Sequence, residues 1–189
     1  YPFFCNCIDD VRHVAVHYEI RKKTLNVMDF DDLLSNCKKL LIDYPDLLKK
    51  YADNFSNVLV DEYQDTNTMQ AEIVDLLASG HTNLMAVGDD SQSIYAFRGA
   101  NFENIIKFPE KYPDCKVFKL EINYRSTPEI LNLANMSIIN NDKQYQKTLR
   151  SVRRTGIRPI LIPAKDVMQQ ANFVAQRMLE IIQEGVPLS

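Results

Sequence analysis

The stretch Asn57-Val58-Leu59-Val60-Asp61-Glu62-Tyr63-Gln64-Asp65 places two carboxylates directly behind a short apolar run. The run does not alternate between apolar and polar residues, which predicts a strand buried on both faces. In open α/β sheets ligands bind at the carboxyl edge of the strands, so Asp61 and Glu62 are offered to a ligand. Adjacent acids repel each other unless a cation lies between them and the substrate, and Mg²⁺ on a nucleotide is the usual cation. An Asp-Glu turn that caps the next helix is the alternative.

A second apolar run, Leu84-Met85-Ala86-Val87, also ends in acids, within Gly88-Asp89-Asp90. Between the two runs lies an amphipathic pattern that begins after the N-cap candidate Thr66-Asn67. A strand, a helix and a strand in succession predict one parallel crossover unit. Asp61 and Asp89 should therefore lie along the same edge of one sheet.

Patterns of helices and strands alternate along the rest of the chain. The predicted helices cover residues 8–25, a segment opened by 27–34, a short segment at 45–51, and segments that begin near Thr127 and bear Val167 to Ile181; further strands are predicted at 117–120 and 159–162. The predicted apolar faces are Phe30, Leu33, Leu34, Cys37, Leu40, Leu41 and Tyr44, and Ile130, Leu131, Ala134 and Ile138. This alternation predicts an α/β protein with a parallel sheet and flanking helices.

The composition excludes several classes of protein. The chain has 22 Lys and Arg against 25 Asp and Glu, a net charge of −3, so a nucleic-acid site has to be a local patch. No window of about 18 apolar residues predicts a membrane span. The spacing of Cys5, Cys7, Cys37 and Cys115 predicts no disulfide framework, which indicates a reduced, cytoplasmic location. His13 and His17 lack the intervening Glu of a zinc-protease motif, and solvated helix histidines are the simpler interpretation.

Residues 143–158 contain six basic side chains and no acid: Lys143, Lys147, Arg150, Arg153, Arg154 and Arg158. A run of this kind is most often a solvated, mobile loop. A phosphate-binding patch is the alternative.

The stretch Gly88-Asp89-Asp90-Ser91-Gln92-Ser93-Ile94-Tyr95-Ala96-Phe97-Arg98-Gly99-Ala100 begins at the end of the second predicted strand. Gln92 lies near the sheet edge, where its amide can contact a phosphate oxygen. Tyr95 and Phe97 offer flat faces to bases, and each stacked base contributes on the order of 1–3 kcal/mol. Taken alone, the stretch is better explained by two core rings, Tyr95 and Phe97, and a surface charge, Arg98.

Three stretches together resemble motifs II, III and IV of the UvrD/PcrA/Rep helicases, which are superfamily 1 DNA translocases. They are Val60-Asp61-Glu62-Tyr63-Gln64-Asp65-Thr66-Asn67, the stretch from Val87 to Ala100, and Leu120-Glu121-Ile122-Asn123-Tyr124-Arg125-Ser126-Thr127. Met28-Asp29-Phe30-Asp31-Asp32-Leu33-Leu34 resembles the segment that precedes motif II. The resemblance extends over nearly all of the chain and implies an ATP-dependent DNA helicase with RecA-like motor domains. Its implied partners are ATP, Mg²⁺, single-stranded DNA and single/double-strand junctions.

The resemblance also implies roles for individual residues around the nucleotide. Asp61 would hold Mg²⁺ through water, and Glu62 would be the general base for the attacking water. Gln92 would contact the γ-phosphate, Arg125 would act as an arginine finger, and Tyr124 would stack on the adenine. On the DNA side, Tyr95 and Phe97 would stack on single-stranded DNA, with Arg98 linking the DNA and nucleotide sides.

The resemblance implies a division into two motor domains. Residues 1–121 would form the C-terminal part of the first, with 1–26 as the tail of its inserted helical subdomain, and 122–189 would begin the second. None of the five glycines precedes a lysine, so the Gly-Lys-Ser/Thr phosphate loop does not occur in this sequence. Ser91 and Ile122 replace the family's usual acid and glutamine.

We therefore expect an interior fragment that needs the rest of a helicase chain and has no ATPase activity alone. A non-catalytic DNA- or protein-binding module derived from such a helicase is the alternative. The retained Asp61, Glu62, Gln92 and Arg125 argue against it, because a binding module has no physical need for that set.

Overall fold

In a computed structural model, residues 7–187 are described, and they form two compact units. The first unit runs to Phe118 and also takes in Asn141–Gln146; the second contains Lys119–Asn140 and the residues from Lys147 onward. Cys5 lies outside the described residues. The assignment of the units to motor domains divided at residue 121 stays a prediction.

Three helices open the first unit: α1 (Ile8–Leu25), α2 (Phe30–Asp43) and α3 (Pro45–Asn54). Asp29 caps α2 in a capping box, in which its carboxylate accepts the Asp32 N–H and the Asp32 carboxylate accepts the Asp29 N–H. The buried Lys22 ammonium lies 3.0 Å from the Asp29 carboxylate and 2.8 Å from that of Asp32, which joins α1 to the start of α2. The three helices agree with the sequence prediction.

The predicted crossover unit is confirmed. Strand β1 (Val58–Val60) leads through α4 (Thr68–Ala78) to β2 (Leu84–Ala86), and the two strands pair in parallel with Leu59 opposite Met85. Asn67 caps α4 in a second capping box, with Gln70.

The prediction that β1 is buried on both faces is wrong for the described residues. Val58 and Val60 are half-buried, but Leu59 is 70% exposed and Met85 57%. Alternate residues of a strand face opposite sides of a sheet. Helix α4 packs against β1, and the described part of the chain leaves the other side of this two-stranded sheet in solvent.

Two short helices follow β2 and support the turn after β1. They are α5 (Glu103–Ile106) and α6 (Phe108–Lys111). Helix α5 packs against the 3₁₀ turn Tyr63–Asp65, and the ring of Phe108 meets that of Tyr63 edge to face at 5.5 Å. The hydroxyl of Tyr145 donates to the Ile105 carbonyl at 3.1 Å, so the half-buried Tyr145 contacts α5 while residues 141–143 stay exposed.

The second unit contains a smaller parallel pair, β3 (Ile122–Asn123) with β4 (Arg150–Ser151). Helices α7 (Pro128–Ile138) and α8 (Val167–Gln183) agree with the predicted helices. The strands predicted at 117–120 and 159–162 are wrong, since neither segment pairs with another described strand. Phe118 is 81% exposed and Leu161 92%, which shows that apolar composition without a neighbouring strand does not make a ladder.

The solvated-loop prediction for 143–158 is also wrong in part, because β4 lies inside that run. The predicted helix faces are only partly buried in the described residues. Leu41 of α2 and Leu131 of α7 are each 4% exposed, whereas Phe30 is 88% exposed and Ile130 48%. No helix in the described range is long and apolar enough to cross a membrane.

Candidate functional site

In the turn after β1, Asp61 and Glu62 face solvent, whereas the two residues that follow them are buried. Glu62 adopts a left-handed conformation, with φ 51° and ψ 40°, which costs a residue with a side chain roughly 1–2 kcal/mol. Its N–H donates to Asp61 Oδ1 at 2.9 Å, and both acids are exposed. Strain of this kind persists where the surroundings over-determine the backbone, and it is common at functional sites.

The next two residues turn inward. Tyr63 and Gln64 are each 1% exposed. Burial, and then the nearby Asp75 carboxylate, raise the pKa of Tyr63 to about 12. Within four residues the chain passes from two exposed acids to a buried ring and a buried amide. The 3₁₀ turn Tyr63–Asp65 directs these last two side chains inward.

The Gln64 carboxamide joins the two strand ends. Its Nε2 donates to Glu62 Oε2 at 2.7 Å and to Asp65 Oδ2 at 3.2 Å. Its Oε1 accepts the Asp89 N–H at 3.0 Å, directly after β2. The parallel pairing agrees with the predicted common edge of Asp61 and Asp89, and the Gln64 amide links the segments that follow the two strands.

Gln92 belongs to the same set of contacts. Its Nε2 donates to Asp89 Oδ2 at 2.7 Å, and the Ser91 N–H donates to Asp89 Oδ1 at 3.0 Å. A continuous series of hydrogen bonds thus leads from Glu62 through Gln64 and Asp89 to Gln92. The amide of Gln92 is exposed, so a ligand at this edge can compete with Asp89 for it.

The far end of the same loop is fastened to the end of the turn after β1. Asn104 Nδ2 donates to the Thr66 carbonyl at 3.0 Å and to Thr66 Oγ1 at 3.1 Å. The Asn101 N–H donates to the Thr66 carbonyl at 2.9 Å, and Asn67 forms an antiparallel bridge with Ala100. The loop from Asp89 to Ala100 is therefore held at both ends by residues of the turn after β1.

The aromatic part of the loop stays in solvent between those two fastenings. Phe97 is 74% exposed and Tyr95 38%, with ring centroids 6.0 Å apart. The guanidinium carbon of Arg98 lies 5.3 Å from the Tyr95 ring centroid and 5.4 Å from that of Phe97, within the range of cation–π attraction. The alternative that both rings belong to the core is wrong for this structure.

A second turn follows β3 in the other unit and carries Tyr124 and Arg125. Asn123 Oδ1 accepts the N–H groups of Arg125 at 2.9 Å and Ser126 at 2.7 Å. Arg153 Nη1 donates to the Arg125 carbonyl at 2.7 Å. The backbone is fixed while the Tyr124 side chain is 74% exposed and that of Arg125 faces solvent.

Sequence reasoning missed the residues that position the named side chains, namely Gln64, Asn104, Asn123 and Arg153. Two signals were available. An Asn two residues before Arg125 is a frequent starter of a side-chain-closed turn. A polar Gln between a buried-strand turn and a helix cap has to find partners if it is buried.

The described residues contain no group of three or more His, Cys, Asp or Glu that could hold a metal ion. The donor set at Asp61 nevertheless fits Mg²⁺, which takes oxygen ligands and is usually held by one or two carboxylates together with waters and substrate phosphates. His17 Nδ1 lies 2.9 Å from the His13 carbonyl oxygen, and both histidines are exposed on α1, as predicted for solvated helix residues.

Comparison with known proteins places these features in a family. Residues 6–113 match the model of the UvrD/REP helicase N-terminal domain, and residues 118–188 match that of the UvrD-like helicase C-terminal domain. The Bacillus subtilis strain 168 protein YjcD is 43% identical over 169 residues, which are 89% of this chain and 22% of YjcD.

Two further relatives carry helicase names. The ATP-dependent DNA helicase PcrA of Leuconostoc citreum is 39% identical over 173 residues, covering 92% of this chain and 23% of PcrA. DNA helicase II of Rickettsia typhi is 38% identical over 171 residues, covering 89% of this chain and 26% of the relative. The chain thus spans about a quarter of the length of these relatives. The two family models together account for nearly all of the sequence, and the chain belongs to the UvrD/REP helicase family.

Proposed function

We propose that this chain is part of an ATP-dependent DNA helicase that couples hydrolysis of magnesium-bound ATP to movement along single-stranded DNA and to duplex unwinding. DNA repair and replication are the processes that use such a motor, and single/double-strand junctions are its expected substrate. The observation that carries the proposal is the series of hydrogen bonds from Glu62 through Gln64 and Asp89 to Gln92. It joins an acid at one strand end to an amide at the next and continues into a loop of exposed aromatic rings.

Asp61 and Glu62 would divide the work on the nucleotide. The Oδ1 atom of Asp61 is engaged by the Glu62 N–H, which leaves Oδ2 to hold a water of the Mg²⁺ shell. Bound Mg²⁺ would neutralise charge on the β- and γ-phosphates. Glu62 would take the proton of the attacking water, since its carboxylate is exposed and one of its oxygens is oriented by Gln64.

Gln92 would couple binding of the γ-phosphate to the position of the rings that stack on DNA. Its amide now donates to Asp89 Oδ2, and a phosphate oxygen would compete for that donor. Tyr95 and Phe97 lie three and five residues further along the same loop and would stack on bases, beside the Arg98 cation. A shift of Gln92 towards a phosphate would thereby move the stacking rings.

The turn after β3 would supply the remaining contacts to the nucleotide. Arg125 would be the arginine finger that offsets negative charge in the transition state, and Tyr124 would stack on the adenine. Both side chains are exposed on a fixed backbone, as groups that bind a ligand should be. The second unit would begin the second RecA-like motor domain, and the first unit would be the back part of the first.

Because no Gly-Lys-Ser/Thr stretch occurs in these 189 residues, the chain alone should bind phosphate weakly and show no meaningful ATPase activity. The competing proposal is a non-catalytic module that binds DNA or protein. Such a module would need the aromatic loop but not the series of hydrogen bonds from Glu62 through Gln64 and Asp89 to Gln92. Robust DNA-stimulated ATP turnover by the purified 189 residues would contradict the requirement for a phosphate loop from elsewhere.

The test of the motor is a chimera in which this chain replaces the matching segment of Leuconostoc citreum PcrA. We expect ATP turnover stimulated by single-stranded DNA. Glu62→Gln should keep ATP binding and lower kcat by at least about 100-fold, the scale of a general base. The control Glu72→Gln changes an acid on α4 that pairs with Lys38 outside the site, and should leave turnover unchanged. A chimera without turnover, or one in which Glu62→Gln hydrolyses normally, contradicts the proposal.

A further inference from the structure

The geometry points to Gln64 as a positioning residue whose buried carboxamide couples the Glu62 carboxylate to the loop that carries Gln92, Tyr95 and Phe97. The inference rests on the proposed role of Glu62 as general base. It goes beyond that role because it names the group through which a change in the loop reaches the base.

Chemistry fixes the orientation of the Gln64 amide. The Glu62 and Asp65 carboxylates can only accept hydrogen bonds, so the Nε2 group has to face them, at 2.7 and 3.2 Å. The Asp89 N–H can only donate, so Oε1 has to face it, at 3.0 Å. With the residue 1% exposed, water cannot replace any of these partners without opening the turn.

Gln64 holds the loop at a second point. Its backbone carbonyl accepts the Ser93 hydroxyl at 3.2 Å, one residue beyond Gln92. The side chain and the main chain of one residue thus contact both sides of the segment Asp90–Gln92. Any displacement of that segment has to strain or break a bond to Gln64.

The connection reaches the reacting atom directly. Gln64 engages Oε2 of Glu62, and the Glu62 side chain as a whole remains exposed, so Oε1 has no hydrogen-bond partner among the described residues. Binding one carboxylate oxygen fixes the direction of the lone pairs on the other. If a ligand draws Gln92 away from Asp89, the Asp89 backbone shifts, and the Gln64 amide turns the base with it.

The test uses the PcrA chimera. Gln64→Met removes the donor and the acceptor but keeps an unbranched side chain of similar length. We expect kcat to fall on the order of 10- to 100-fold, the cost of a misplaced catalytic group, with the KM for ATP within about twofold. The ratio of turnover with single-stranded DNA to turnover without it should fall towards one. A purely structural role would lower stability without moving that ratio.

A matched control is the same substitution at Gln70. Its Oε1 accepts the Asn67 N–H at the start of α4, so Gln70→Met also loses a side-chain hydrogen bond, but one outside the series from Glu62 to Gln92. Gln70→Met should lower the unfolding midpoint and leave the DNA-stimulation ratio unchanged. Equal ratios in the two variants would overturn the inference.

Gln64→Glu separates the two halves of the coupling. An ionised glutamate, which assay at alkaline pH favours, can still accept the Asp89 N–H but cannot donate to Glu62. Turnover as slow as in Gln64→Met assigns the effect to the bond with Glu62. Turnover equal to that of the unmodified chimera would overturn the coupling to the base.

Amide hydrogen exchange in the 189-residue chain tests the link without relying on turnover. Gln64→Met should speed exchange at Asp89 and at residues 95–98, whereas Gln70→Met should speed it at Asn67. Unchanged exchange at Asp89 would overturn the inference. The failures are distinguishable, because normal hydrolysis in Glu62→Gln refutes the motor assignment, while normal DNA stimulation in Gln64→Met refutes only the coupling.

Discussion

The turn after β1 and the turn after β3 each follow the carboxyl end of a parallel strand, yet they are stabilised in opposite ways. In the first turn a buried side chain, Gln64, binds the side chain of Glu62, the proposed general base. In the second, Asn123 and Arg153 bind only the backbone around Arg125, and the Arg125 side chain makes no hydrogen bond or ion pair within residues 7–187.

This difference separates two ways of positioning a side chain. A side chain bonded to its neighbours moves when they move, so the first turn can transmit a change from the loop at Asp89–Ala100. A side chain on a fixed backbone keeps its rotamer freedom, so the second turn can present Arg125 to a ligand without coupling it to the protein around it. Substitutions in the first turn should therefore spread through the unit, and those in the second should stay local.

The largest effect should come from Gly88→Ala. A Cβ there would lie 2.5 Å from Gln64 Oε1 and 2.7 Å from Ile105 Cδ1, so the buried amide has to shift. Crowding of this kind costs about 1–3 kcal/mol of unfolding free energy. Urea unfolding of the chain measures the loss, and exchange at Asp89 shows whether the amide moved.

Gly80→Ala is the control, because its Cβ would meet only Ala52 Cβ at an ordinary 3.8 Å. That variant should lose no unfolding free energy. If the two alanines are equally tolerated, Gln64 is not held as tightly as its contacts indicate, and the contrast between the turns weakens.

Asn123→Ala should have a smaller and more local effect. It leaves the N–H groups of Arg125 and Ser126 without the Oδ1 acceptor, and water can reach them because Arg125 is exposed. We expect a loss of about 1 kcal/mol and faster amide exchange at Arg125 and Ser126.

Asn123→Asp retains the acceptor and should restore both the stability and the exchange rates. Exchange at Asp89 should be unaffected in either variant. A change there would show that the second turn is not as self-contained as its contacts suggest.

The sequence predicted the parts of this molecule that depend on local pattern. The β1–α4–β2 unit, the cap at Asn67 and the exposed position of the acids all follow from apolar periodicity and capping chemistry. Residues 117–120 have the composition of a strand but no pairing partner in the described part of the chain, and the pairing of Ile122 with Arg150 joins residues 28 positions apart. Partner choice of that kind is not encoded in a window of neighbouring residues.

The candidate site shows the same limit. Glu62, Gln92 and Arg125 were found as residue types in familiar stretches, whereas Gln64 acquires its role only from burial and from the distance to Asp89. A glutamine in an exposed turn would have no such role, and the sequence does not distinguish it from a buried one. The positioning residues Asn104 and Arg153 likewise depend on contacts 38 and 28 residues away.

The smallest effect at neutral pH is expected for Asp29→Asn, which tests whether a charged side chain can hold a turn as the buried Gln64 amide does. Asp29 at the start of α2 accepts the Asp32 N–H and faces the Lys22 ammonium, and these contacts lower the pKa of Asp29 to about 2. A lowered pKa means that the folded state favours the ionised carboxylate, so its contribution to stability is fully present above pH 4 and disappears as the pH falls towards 2.

Asp29→Asn keeps a good N-cap and removes only the charge. The thermal midpoint of the unmodified chain should exceed that of Asp29→Asn by a constant amount from pH 7 to pH 4, and the difference should shrink between pH 4 and pH 2. Equal midpoints of the two proteins at every pH would mean that the cap hydrogen bond, which Asn retains, holds this turn without help from the charge, as the Asn123 side chain holds its own turn.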